Sequence, residues 1–202
     1  MNTRSLLTAA FLLLSFRAFS QANDYAVREV IGGLYIPWEM VSAPDGTIWF
    51  TQRHGAISRL DPVTGQMKQL HLEPEVVPQG EGGMLGFAMH PDFPNTPEVF
   101  CAYNYNSSNG YREKVVVYHY VAAADTLQYK STIVADLDAA SIHNGSRLLI
   151  DNNKLFVTTG DAADQSLPQN LGSLNGKILR YNLDGSIPGD NPISGSPLWS
   201  WG

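Results

Sequence analysis

Residues 141–202 read SIHNGSRLLIDNNKLFVTTGDAADQSLPQNLGSLNGKILRYNLDGSIPGDNPISGSPLWSWG, and their punctuation decides the fold. Asn144-Gly145 is a turn signal, after which Arg147 to Ile150 alternates into a short β-strand. Asp151-Asn152-Asn153-Lys154 makes a second turn, and Leu155 to Thr159 is a β-rich run with apolar side chains in alternation. Gly176 to Tyr181 predicts a third strand, closed by Asp184-Gly185 and broken at Pro188. His143 stands just before the first of these strands, where a loop meets a sheet. Such rims hold binding and catalytic groups on a rigid scaffold.

The same grammar recurs upstream. Ile48-Trp49-Phe50-Thr51 followed by Gly55 to Leu60 resembles Leu155 to Thr159 followed by Gly176 to Tyr181. Val99 to Tyr103 followed by Lys114 to Tyr120 lies between them. The period of about 50 residues suits a propeller blade of four strands. Turn signals punctuate it at Pro44-Asp45-Gly46, Thr64-Gly65, Asn109-Gly110 and Asp184-Gly185. No amphipathic helical pattern of any length appears, so the expectation is an all-β propeller. Its first blade is expected to take Asp24 to Ile31 as an edge strand and then Pro37 to Met40. Trp38, Trp49, Phe50 and Phe87 read as fillers between blades. His54, His71 and His119 read as structural, and His90 as a hydrogen-bonded turn residue.

Composition fits an exported globular domain: 44% hydrophobic, 16% charged, with 18 Gly and 12 Pro. A net charge of −6 without any basic run argues against nucleic acid or an anionic membrane surface as partner. The single cysteine, Cys101, excludes an intrachain disulfide and reads as a small buried hydrophobe. Residues 1–20 read as a signal peptide: Arg4 in the positive region, Leu6 to Phe16 apolar, and Ala18-Phe19-Ser20 a cleavage site. Residues 21–202 then form the propeller domain, periplasmic or secreted, with no membrane span after cleavage. An uncleaved N-terminal anchor is the alternative reading.

Glu81 to Phe87 with His90-Pro91-Asp92-Phe93, then His143 to Leu148, Thr159-Gly160-Asp161 and Gln169-Asn170-Leu171 form an ordered series of blocks. Gly176 to Arg180, Asp184 to Pro188 and Asp190-Asn191-Pro192 complete it. In order and spacing the series resembles the soluble glucose/sorbosone and aldose sugar dehydrogenases that use pyrroloquinoline quinone (PQQ). The resemblance implies a six-bladed propeller with PQQ on its top face near the axis. It implies His143 as general base, Gln169 as a cofactor-binding amide and Glu81 at the substrate position. A small-molecule sugar or alcohol would be the substrate, and an external electron acceptor the partner. The family also uses calcium, whose ligands are expected beyond residue 202.

The residue types are compatible with the chemistry the resemblance implies. An imidazole with a pKa of about 6.5 is a usable base near neutrality. Hydride acceptance is beyond protein side chains, so a cofactor must carry it. No Gly-x-Gly-x-x-Gly opens a helix, which counts against a nicotinamide or Rossmann flavin site. Glu81 stands where sugar-oxidising members often carry Gln, and Ile142 precedes the histidine where glucose-specific members carry Asp. The first change removes a hydrogen-bond donor, and the second removes an orienting partner for the base. Substrate identity is thereby open to other aldoses, alcohols or sorbosone-like compounds. Gly202 falls where members of the family continue with a Gly-His-Arg-Asn-Pro-Gln-Gly-like segment, so three to four blades are expected, an N-terminal portion of the ring. Two other readings stand beside the dehydrogenase: a calcium-dependent propeller lactonase or hydrolase, and a non-catalytic propeller that binds a partner.

Overall fold

A computed structural model describes residues 26–202. Among them twelve strands form three four-stranded antiparallel sheets, with no helix. The first sheet is β1 (Pro37–Ser42), β2 (Ile48–Gln52), β3 (Ala56–Leu60) and β4 (Met67–Leu72), in that spatial order. The second is β5 (Met84–Met89), β6 (Glu98–Ser107), β7 (Gly110–Val121) and β8 (Thr126–Asp138). The third is β9 (Gly145–Asp151), β10 (Lys154–Thr159), β11 (Lys177–Asn182) and β12 (Leu198–Trp201). Each sheet is a simple meander, and β5 packs against both β1 and β9. The first strands therefore sit together while the sheets fan outward, which is the packing of propeller blades.

The turns form where the sequence supplies residues tolerant of left-handed backbone. Asn152 and Asn153, between β9 and β10, have φ of 48° and 57°, the geometry of a two-residue hairpin turn that matches strand twist. The repeat seen in the sequence marks equivalent strands: β2–β3, β6–β7 and β10–β11 are the middle pairs of successive blades.

The core is two slabs, one between each pair of neighbouring blades. The first holds Trp49, Ile57, Phe87, Cys101, Tyr103 and Tyr118; the second holds Phe100, Ala102, Val117, Leu148, Leu155 and Leu179. β6 feeds both, with Val99, Cys101, Tyr103 and Tyr105 on one side and Phe100 and Ala102 on the other. That is the two-residue period of a strand buried on both faces. Cys101 is fully buried, and burial followed by the Glu73 charge pushes its thiol well above the ordinary value, so it packs as an apolar group.

Several expectations need correction. Residues 26–31 form no strand; Val27 is exposed, and Gly32-Gly33, the latter with φ of 73°, follows directly. The earlier part of that expected strand, and the leader-like residues 1–20, lie outside the described residues. Trp38 is half-buried rather than core; it lies under the Arg147 guanidinium, 4.7 Å from its ring centre. Arg147 also pairs with Glu39, tying β9 to β1. A strand follows Pro188 after all, because residues 183–197 loop back and let β12 pair with β11. His90 does brace its turn, its Nδ1 accepting the Asp92 N–H at 3.1 Å.

Candidate active site

Three loops converge at the start of β9. The 139–144 loop, ending in His143, is closed by Asn144, whose amide donates to Ala140 O at 2.9 Å and accepts from Ala140 N–H at 3.1 Å. The loop after β10 lies directly beneath, with Gly160 N–H donating to Asn144 O at 2.8 Å and Ala162 N–H to His143 O at 3.2 Å. A Cβ on Gly160 would stand 1.7 Å from His143 O, so only glycine permits this approach. Asn175 then joins both: it donates to Asp138 O at 2.7 Å and Gly160 O at 3.1 Å. His143 itself adopts φ of 60°, a conformation maintained by these neighbours.

The third loop, residues 73–83, carries Glu81. Its N–H donates to Ser141 O at 2.7 Å, and its Oε2 accepts the His143 backbone N–H at 3.0 Å. Arg53 holds the same loop through the carbonyls of Gly80 and Gly82. Glu81 is therefore beside His143, exposed, and committed at one oxygen to the histidine's backbone.

The imidazole is oriented by Asp161. His143 Nδ1 lies 3.0 Å from Asp161 Oδ1, which also accepts the Ala163 N–H at 2.9 Å. An ionised carboxylate only accepts hydrogen bonds, so Nδ1 carries the hydrogen and Nε2 of the neutral ring is left with a lone pair. The His143 side chain is 54% exposed against 19% for Asp161. It lines an open cleft of about 550 Å³ with Gly160, Pro168, Lys177, Ile178 and Trp201. The orienting carboxylate that residue 142 lacks is thus supplied by Asp161 from the next loop.

Lys177 shapes the far wall. It is almost fully buried, and its ammonium donates to the carbonyls of Leu167, Pro168 and Asn175, each at 2.8 Å. Burial lowers its pKa, and the three carbonyls offset the cost of that burial. Gln169 follows Pro168 on this pinned loop, exposed and with no side-chain hydrogen bond among the described residues. The structure thus brings His143 and Glu81 together and leaves Gln169 on the loop that walls the cleft. Sequence reasoning missed Asp161, Lys177 and Asn175 as site-forming residues. The available signal for Asp161 was its place in Thr159-Gly160-Asp161, an acid at the end of a strand that shares its sheet with the histidine's strand.

Comparison with known proteins agrees with this architecture. The family model described as glucose/sorbosone dehydrogenase matches residues 34–202. Quinoprotein glucose dehydrogenase B of Acinetobacter calcoaceticus is 30% identical over 87% of this chain and 43% of its own length. Aldose sugar dehydrogenase of Escherichia coli is 27% identical over 100% of this chain and 57% of its own. The PQQ-bound form of aldose sugar dehydrogenase from Streptomyces coelicolor superposes with a TM-score of 0.80 at 32% identity, over 86% of this chain and 52% of that one. The chain spans about half the length of the curated relatives it matches. It belongs to the glucose/sorbosone dehydrogenase family.

Proposed function

We propose that this chain carries the general base of a quinoprotein oxidoreductase that oxidises an aldose or a related alcohol. The observation that carries the proposal is the His143–Asp161 pair, made through Nδ1 by an imidazole that lines the cleft. Asp161 keeps the hydrogen on Nδ1, and Nε2 takes the proton from the hydroxyl oxygen borne by the carbon being oxidised, as that carbon gives up its hydride. As imidazolium the ring is stabilised by the same carboxylate, and it returns its proton to solvent through the open side of the cleft. Glu81 keeps the base in place by holding its backbone N–H, and its second oxygen is available to a substrate hydroxyl.

The donors present suit the carbonyls and carboxylates of PQQ: Ser200 lines the open cleft with its hydroxyl, and Gln169, next to Pro168 of the wall, carries an exposed amide that would reach the cofactor. When bound, the cofactor supplies the two-electron acceptor that side chains cannot. Lys177 is not assigned to its carboxylates, because all three of its ammonium hydrogens are engaged. Among the described residues no group of three or more His, Cys, Asp or Glu is placed to hold a metal ion.

Export through residues 1–20 and an external electron acceptor complete the proposal. No helix among the described residues is long and apolar enough to cross a membrane. The functional test is His143→Gln in the full-length protein supplied with PQQ and calcium. Turnover of an aldose panel should fall by roughly two to four orders of magnitude while cofactor binding persists. A variant that keeps more than about a third of wild-type turnover removes His143 from the role.

A further inference from the structure

Glu113, on β7, is 1% exposed and takes part in no ion pair among the described residues. It sits opposite Asn104 of β6 in the sheet register, and the two-residue strand period puts both on the face whose Phe100, Ala102, Val115 and Val117 pack in the slab between the second and third blades. Ser146 of β9 is fully buried there too, two residues ahead of Leu148 on the same strand face. Three atoms of this trio have no hydrogen-bond partner of good geometry: Glu113 Oε1, Asn104 Nδ2 and Ser146 Oγ. Burial pushes the Glu113 carboxyl up to about 8, against a smaller downward pull from Ser146 and Asn104. A neutral carboxyl offers one acceptor and one donor, which complement an amide N–H and a hydroxyl oxygen.

Each neighbour anchors one half of the candidate site. Asn104 Oδ1 accepts the Gly83 N–H at 3.0 Å, and Asn104 N–H donates to Gly83 O at 2.9 Å, fixing the loop that carries Glu81. A Cβ on Gly82 would meet Asn104 Oδ1 at 2.7 Å, so loop and amide are in close contact. Ser146 is three residues beyond His143, and its carbonyl would lie 1.9 Å from a Cβ on Gly86. We propose that Glu113 is a positioning residue: a buried carboxyl that, through Asn104 and Ser146, couples the Glu81 loop to the strand start carrying His143. The kinetic part of the test rests on His143 being the base, and the spectroscopic part does not.

The test uses full-length protein labelled with ¹⁵N-histidine, the His143 ring signals being assigned by their loss in His143→Gln. Glu113→Gln, which preserves a neutral hydrogen-bonding group, should leave the His143 signals in place and kcat within about twofold. Glu113→Leu and Ser146→Ala should each shift those signals and lower kcat by about tenfold, with KM changed by less than about threefold. The double variant should be no worse than the more damaging single, because both changes break one linkage. Ser146→Ala decides the matter if the leucine variant does not fold. Unmoved His143 signals in a folded Glu113→Leu or in Ser146→Ala overturn the proposal, as does a Glu113→Gln as damaging as leucine. If His143→Gln retains turnover, the functional reading fails, while the ring signals still decide the positioning role.

Discussion

Two buried glutamates show how surroundings alone assign opposite charge states to one side chain. Burial works to raise the Glu73 pKa, but hydrogen bonds from His71, Tyr118 and the Glu75 N–H, with the His71 charge, bring it down to about 2. Glu113 has no such cation and rises to about 8. Between pH 4.5 and 8 the folded protein keeps a proton on Glu113 that the unfolded chain has released, so stability falls as pH rises through this window. For Glu73 the unfolded chain binds its proton first, so stability falls as pH drops from 4.5 toward 2. Urea unfolding should therefore show wild-type stability declining from about pH 5 to 8 by up to a few kcal/mol, with most of that slope gone in Glu113→Gln. A slope unchanged by the substitution would show that Glu113 is not the group responsible.

At the scale of the element, Lys177 does for the 167–176 loop what a disulfide or metal does elsewhere, by drawing three carbonyls onto one ammonium. Lys177→Met should destabilise the protein by roughly 2–4 kcal/mol, since one buried and two partly buried carbonyls lose a charged donor. Amide exchange should quicken across residues 162–176 more than in β6 or β7; uniform quickening would mean a general loss of packing instead. The legibility of the strands follows their burial. β10 could be read because its buried residues alternate, β11 because a turn signal at Asp184-Gly185 closes its apolar run, and the turns between strands because Asn, Asp and Gly admit positive φ. β8 could not be read, since Leu127, Ile133 and Leu137 are its buried residues and three register shifts break its pairing with β7. β12 was hidden behind Pro188, Pro192 and Pro197, which end one loop rather than the sheet.

At the scale of the whole molecule, stability resides between blades, so a core change should loosen two sheets at once. Phe100→Ala, in the slab between the second and third blades, should cost about 3–5 kcal/mol in denaturant unfolding. A loss below about 1 kcal/mol would place the stabilising contacts elsewhere. The site was legible to the extent that it is local in the chain: a histidine at the boundary of loop and strand. Its partner Asp161, 18 residues on, was not, because the approach of their loops depends on a sheet register and on Gly160 lacking a side chain. The double allegiance of β6 also sets where the protein can change length. Inserting or deleting one residue there would exchange the tenants of the two slabs, sending Cys101 and Tyr103 where Phe100 and Ala102 belong, and would turn Asn104 away from Glu113. Relatives that differ in length should therefore differ in the loops, such as 61–66 or 183–197, while β6 keeps its count.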